Sequence, residues 1–344
     1  MNRFVLSALL LAAAAPVAAQ DQPLPVSVHI AARTAFIHTA PEEGDSTDEF
    51  VLDSVRLFLS GPVTNQIKVT FNTEYSTVTN QVRVMDAIGQ FEFSPAVNFW
   101  VGRFLPPSDR ANLYGPYYSN HWGIYTDGIQ DGYPFVSDGR ANGAMYWGQY
   151  GKVSLSGGVF DGKSMTPSTT PVEAGRVQVD FWDAEPGYYS SGTYYGSKNV
   201  LAVGAAGQVQ GADNRAYSVD AFLERKVGDG GAISLEGELA RYHRLGGYSA
   251  RYATDQGGYA LAAYLLPVMS GPGRFQVLGK VSRASFSDGM SIGDVDYDQT
   301  TTELNLNYIL KGFDARIMVF YLDTRFNAVR TDSRRFGVGF QLQR

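Results

Sequence analysis

The chain has no cysteine among its 344 residues, no excess of basic side chains and, beyond its first twenty positions, no apolar run long enough to cross a bilayer as a helix. Without cysteine there is no disulfide framework and no Cys-ligated zinc or iron–sulfur centre. With 28 Lys and Arg against 34 Asp and Glu, a formal charge of −6, the chain lacks the cationic surface on which nucleic-acid affinity depends, so no nucleic-acid partner is expected. Disorder is excluded by composition, since 44% hydrophobic against 18% charged residues is ample apolar surface for a large fold. What the chain has instead is 38 glycines, 20 Phe, 21 Tyr and 4 Trp, with its apolar residues cut into short runs.

Met1-Asn2-Arg3 supply one positive charge, Phe4 to Val17 are almost wholly apolar, and Val17-Ala18-Ala19 complete a cleavage-site pattern. This is the architecture of a secretory signal peptide, and it is shorter than the roughly 20 apolar residues of an anchoring helix. The expected organisation is a leader over 1–19 and a single exported domain over 20–344.

From Val26 onward the dominant period is two. In Gln66 to Tyr75, Ile67, Val69, Phe71 and Tyr75 fall on one face and Gln66, Lys68, Thr70, Asn72 and Glu74 on the other. Such alternation marks strands that face two different environments. It recurs near 26–39, 49–60, 66–76, 82–93, 97–104, 139–149, 152–161, 173–184, 199–210, 215–226, 231–243, 256–266, 273–285, 300–310, 313–325 and 333–344. About sixteen strands, an even number, joined by alternating short and long links, predict an all-β transmembrane antiparallel barrel in a bacterial outer membrane. A soluble sandwich would bury its apolar faces in a common core, whereas here the second face is polar in strand after strand. Tyr75, Phe91, Phe93, Tyr150, Tyr217, Tyr308, Phe313 and Tyr321, near strand ends, are expected in the interfacial girdles. One link fits badly: residues 185–198 should form a periplasmic turn but are long and aromatic, which leaves room for a count differing by two.

No local constellation for catalysis stands out. Gly157 to Ser164 matches G-x-x-x-x-G-K-S formally, but Pro167 and Pro171 follow where a phosphate-binding loop needs a helix. Asp294-Val295-Asp296-Tyr297-Asp298 opens like a calcium loop, yet Gln299 replaces the required glycine and Asn305 the closing glutamate. His29, His38, His121 and His243 are scattered, and neither H-E-x-x-H nor G-x-S-x-G occurs. No enzyme activity, metal or cofactor is expected.

The informative segment is Leu105 to Gly139. It is long, aromatic and too apolar to extend into water, so Tyr114, Tyr117, Tyr118, Trp122 and Tyr125 need a surface to pack on. Folding into the barrel would make 105–138 a constriction loop; packing on another subunit is the alternative.

Phe99-Trp100-Val101-Gly102-Arg103-Phe104-Leu105-Pro106-Pro107, then the long segment, then Gly139-Arg140-Ala141-Asn142-Gly143, resembles the VGRFxPP…GRxxG core of the phosphate-selective porin O/P family. Asp183-Ala184-Glu185-Pro186-Gly187-Tyr188-Tyr189 carries the resemblance further. It implies a sixteen-stranded, often trimeric channel, embedded in outer-membrane lipid, for small anions or other hydrophilic solutes. The charges depart from a phosphate filter, which needs closely spaced cations. The alternating polar face carries Arg56, Lys68, Lys152, Arg176, Lys280, Arg316 and Arg335 against Glu74, Asp86, Glu92, Asp180, Asp220, Glu224, Glu236, Glu238 and Glu303. The long segment adds Arg110 beside Asp109, Asp127, Asp131 and Asp138. The chain also ends in Phe340-Gln341-Leu342-Gln343-Arg344 rather than in the aromatic residue usual for assembly.

The expected pore-lining or constriction residues are Arg56, Lys68, Glu74, Asp109, Arg110, Asp127, Asp131, Arg140, Lys152, Arg176, Asp180, Glu236, Glu238, Lys280 and Arg316. The expected function is passive diffusion of small hydrophilic solutes or ions. The rivals are a barrel that holds a partner such as an electron-transfer protein in its lumen, which the long inward loop opposes, and an outer-membrane enzyme.

Overall fold

A computed structural model describes residues 26–344 apart from 78, 79, 125, 130–138, 162–169, 247, 248, 250 and 329. The alternation becomes sixteen strands: β1 (Ser27–Pro41), β2 (Thr47–Pro62), β3 (Ile67–Ser76), β4 (Gln81–Ser94), β5 (Val97–Phe104), β6 (Ala141–Tyr150), β7 (Val153–Asp161), β8 (Val172–Asp180), β9 (Val200–Gln210), β10 (Asn214–Val227), β11 (Gly231–His243), β12 (Tyr252–Ser270), β13 (Gly273–Gly289), β14 (Tyr297–Lys311), β15 (Ala315–Phe326) and β16 (Ser333–Gln343). A short helix, α1 (Arg110–Tyr114), lies between β5 and β6. Each strand pairs antiparallel with the next, and β16 returns to β1 in register from Ala31↔Gln343 to Pro41↔Ser333. The ladder therefore has no edge, and lipid meets no row of unpaired backbone groups.

Burial follows the period of two with its usual sense inverted. Along β14, Gln299, Thr301, Glu303, Asn305 and Asn307 are buried inside while Leu304 and Leu306 are exposed outside. Val69, Phe71, Val177, Val219, Leu235 and Leu342 extend the outer apolar surface around the wall. The inner face also carries apolar residues that alternation alone assigns to no partner: Phe222, Leu261, Leu278, Met318 and Phe320 are buried there. They need a second layer inside the barrel.

Two links supply that layer, one from each rim. The chain ends meet at one rim, where Arg344 N donates to Ile30 O at 2.9 Å. The other links at this rim are the short turns 63–66, 95–96, 151–152, 228–230, 271–272 and 312–314, with 181–199 the long exception. The expected turn over 185–198 is thus corrected to an inward insertion, and the count remains sixteen. From the opposite rim, the link after β5 enters the barrel, as expected for a constriction loop, and is described over 105–124 and 126–129.

Of the residues expected in the girdles, Phe93, Tyr150 and Tyr217 are exposed. The girdle reading does not hold for Phe313, whose ring lies 5.3 Å from Tyr118 and 5.0 Å from Tyr195 of the insertions. Gly157 and Gly158 lie within β7, whereas Gly162, Lys163 and Ser164 fall outside the described residues. Asp294 is engaged by Arg251 and Asp298 by Arg283, and among the described residues no group is arranged to hold a metal.

Candidate functional site

Pro106 and Pro107 end β5 and turn the chain inward, because proline cannot continue the ladder. Asp109 then caps α1 by accepting from Asn112 N at 2.8 Å, and Gly115 closes it with φ +60°. The Asp109 carboxyl is raised above its usual range by burial, although the Asn112 backbone and side chain and the Ser108 hydroxyl pull it down. Beyond the helix, the loop is tied to the inner wall strand by strand. Tyr117 Oη donates to Ser54 O at 3.0 Å, and burial pushes this hydroxyl up to about 12. Arg316 donates to Ser119 O at 2.6 Å, and Gln341 to Tyr117 O at 2.9 Å.

Glu303 holds the far part of the loop. Its Oε1 accepts from Trp122 N at 3.1 Å and Gly123 N at 2.9 Å, and its Oε2 pairs with His121 Nδ1 at 2.8 Å. Trp122 lies flat on Phe320, with centroids 5.2 Å apart and planes 4° from parallel. A Cβ on Gly339 would come within 2.3 Å of the Trp122 ring, so glycine in β16 is what lets the indole approach the wall. Lys280 pairs with Asp127 at 2.6 Å.

The second insertion locks onto the first. Arg110 and Glu185 form two parallel bonds of 2.6 and 2.7 Å with the arginine wholly buried and the glutamate 4% exposed. Burial alone would lower the guanidinium and raise the carboxyl. Each reverses the sign for the other, so Arg110 is raised and Glu185 is held below 4.5. Tyr194 Oη donates to the same carboxylate at 2.7 Å, and Tyr188 Oη to Leu105 O at 2.8 Å. Around this pair Arg176 binds Asp220 (2.8 Å), Tyr114 and Tyr259 both donate to Glu236 (2.7 Å), and Glu238 and Asp180 are buried beside them.

The expected site residues therefore divide. Asp109, Arg110 and Asp127 of the long insertion, and Arg176, Asp180, Glu236, Glu238, Lys280 and Arg316 of the wall beneath the insertions, are all buried. Arg56, Glu74 and Arg140 keep side-chain exposures of 11%, 19% and 12% at the inner wall of β2, β3 and β4, which is only partly covered: the Tyr117 ring of the long link lies 5.4 Å from the Arg56 guanidinium. There Arg56 Nε binds Glu74 at 2.8 Å, Arg140 Nε binds Asp86 at 2.8 Å, and Asn72 donates to Asp86 at 2.7 Å. Lys68 pairs with Glu92 nearer the chain-end rim, and Lys152 donates to Phe181 O at 2.8 Å in a turn. Asp131 and Tyr125 lie outside the described residues.

Sequence reasoning left Glu185, Tyr189 and Arg33 off the site. The first two sit in the link that broke the pattern of short turns, and that misfit was the available signal. Arg33 reaches Asp53 at 2.8 Å because a β-bulge makes Asp53 an extra residue opposite Arg33 and Thr34, which alternation cannot reveal.

No protein-family model and no curated protein matches the chain. Solved structures do. The anion-selective porin from Comamonas acidovorans superposes with a TM-score of 0.59 at 14% identity, over 93% of this chain and 100% of that one. The outer membrane channel DcaP of Acinetobacter baumannii gives 0.60 at 13%, over 93% and 97%. OmpT of Vibrio cholerae, an outer-membrane protein, gives 0.59 at 13%, over 95% and 99%. At these identities the likeness establishes a porin-type barrel fold.

Proposed function

We propose that this barrel is an outer-membrane channel through which small hydrophilic solutes or ions diffuse passively, along the β2–β4 wall. One observation carries the reading: among the described inner charges, those in and under the insertions are buried and held by ion pairs or hydrogen bonds, while Arg56, Glu74 and Arg140 stay partly open. The outer apolar band suits outer-membrane lipid. Export by a leader over 1–19, a single domain over 20–344 and assembly as a homotrimer belong to the same reading. The motifs shared with phosphate-selective porins name an anion, but a wall on which the cations already bear carboxylates is a poor phosphate filter. We therefore read the channel as weakly selective. A conduit for a protein partner is opposed by the two anchored segments inside the barrel.

The test is conductance of the purified chain in a planar bilayer, with the reversal potential measured across a KCl gradient before and after adding phosphate. Stepwise conductance with a reversal potential near zero and little phosphate block is expected. Strong block would restore the phosphate reading, and a silent bilayer would end the channel reading.

A further inference from the structure

The partly open wall has a pattern that bulk charge hides. Arg56 and Glu74 face each other across β2 and β3, and Asn72 and Asp86 across β3 and β4, with Arg140 returning from the far end of the long link to bind Asp86. A β-bulge at Met85 sets this register, because Asn72 pairs Asp86 while Thr73 pairs Val84. The result is two neighbouring ion pairs of zero net charge. A solute passing here meets both pairs together.

We propose that this quartet is a subsite for small zwitterions, molecules that carry an ammonium and a carboxylate a few bonds apart. The inference rests on the channel reading above and names its preferred solute class. A lone anion reaching Arg56 competes with Glu74, and a carboxylate it displaces is left uncompensated in a partly desolvated wall. A lone cation meets the same obstacle at Asp86. A zwitterion brings both charges at once, so its carboxylate takes an arginine while its ammonium compensates the released acid. A neutral solute gains neither interaction. Selection then comes from matched pairs, with little net field to favour ions of either sign.

The test uses the full-length protein in liposomes and compares uptake of radiolabelled alanine, its uncharged isomer lactamide and the similarly sized anion lactate. Alanine is expected to enter at least three-fold faster than lactamide, with lactate no faster than lactamide. Glu74→Gln leaves Arg56 without its carboxylate, so lactate should overtake alanine and the KCl reversal potential should shift toward anions. The double variant Arg56→Gln/Glu74→Gln should restore a near-zero reversal potential yet lower the alanine advantage over lactamide at least two-fold. Equal entry of alanine and lactamide in the parent protein overturns the zwitterion subsite and leaves the channel intact. Entry of none of the three overturns the channel, and the subsite with it. If Glu74→Gln does not fold, the double variant alone still decides, because an alanine advantage lowered less than two-fold there overturns the proposal.

Discussion

The inner wall from β8 to β16 and the inner wall from β2 to β4 are built from the same residue types with opposite consequences. Under the insertions, Arg176, Lys280 and Glu303 are buried, as is Arg110 of the long insertion itself, and their charges hold chain to chain. On the partly covered wall, Arg56, Glu74 and Arg140 form similar pairs but keep some exposure. The same ion pair is a fastener where water is excluded and a surface for solutes where it is admitted. Position under or beside a loop decides which, because the dielectric around a pair sets both its strength and the cost of breaking it.

The largest expected break in this comparison is Arg110→Met, which strands the Glu185 carboxylate in a buried site. It should cost about 3–5 kcal/mol, read as a lower urea midpoint in lipid vesicles, and Arg56→Met should cost less, because some water still reaches the Glu74 carboxylate it strands. Arg110→Met/Glu185→Leu should recover most of the loss; no recovery would mean that the pair is not the fastener. Next comes Gly339→Ala, whose methyl meets the Trp122 ring. A loss of about 1–3 kcal/mol with a larger, noisier single-channel conductance is expected as the loop lifts from β16.

A smaller effect is acid sensitivity. Because the folded Glu185 carboxyl is held below 4.5, its contribution is complete above pH 4.5 and fades as pH falls through the depressed folded value. Melting midpoints taken from pH 7 to pH 3 should therefore fall less steeply for Glu185→Gln than for the parent, whose midpoint should lead at neutral pH. The smallest effect is Lys68→Gln at the rim, where an exposed pair is worth less than about 1 kcal/mol. Stability should hardly change, and a large loss would erase the distinction between the walls.

The sequence carried the wall and little of what lies inside it. Alternation of the kind seen in Glu303-Leu304-Asn305-Leu306 locates all sixteen strands, since lipid and lumen impose opposite polarity on successive residues. It gives the face of Arg176 and Lys280 correctly but says nothing of what covers them, so buried fasteners and open wall charges look alike. The inward course of 105–124 was legible from its aromatic content, because buried rings need a wall. The partner insertion was not, since Glu185 and Tyr189 sit in a link that obeys no period. The bulges at Asp53 and Met85 were equally hidden, being departures from the pattern that made the rest readable.

The interlock of two segments from opposite rims also constrains how the barrel can form. Gln341 holds Tyr117 across 224 positions of chain and Arg316 holds Ser119 across 197, so the loop cannot finish docking until the last strands exist. Docking of the long loop is therefore a late and strongly non-local step of the kind that slows folding. In refolding from urea into detergent, Trp122 fluorescence should therefore report the slowest phase, after strand formation is complete by circular dichroism.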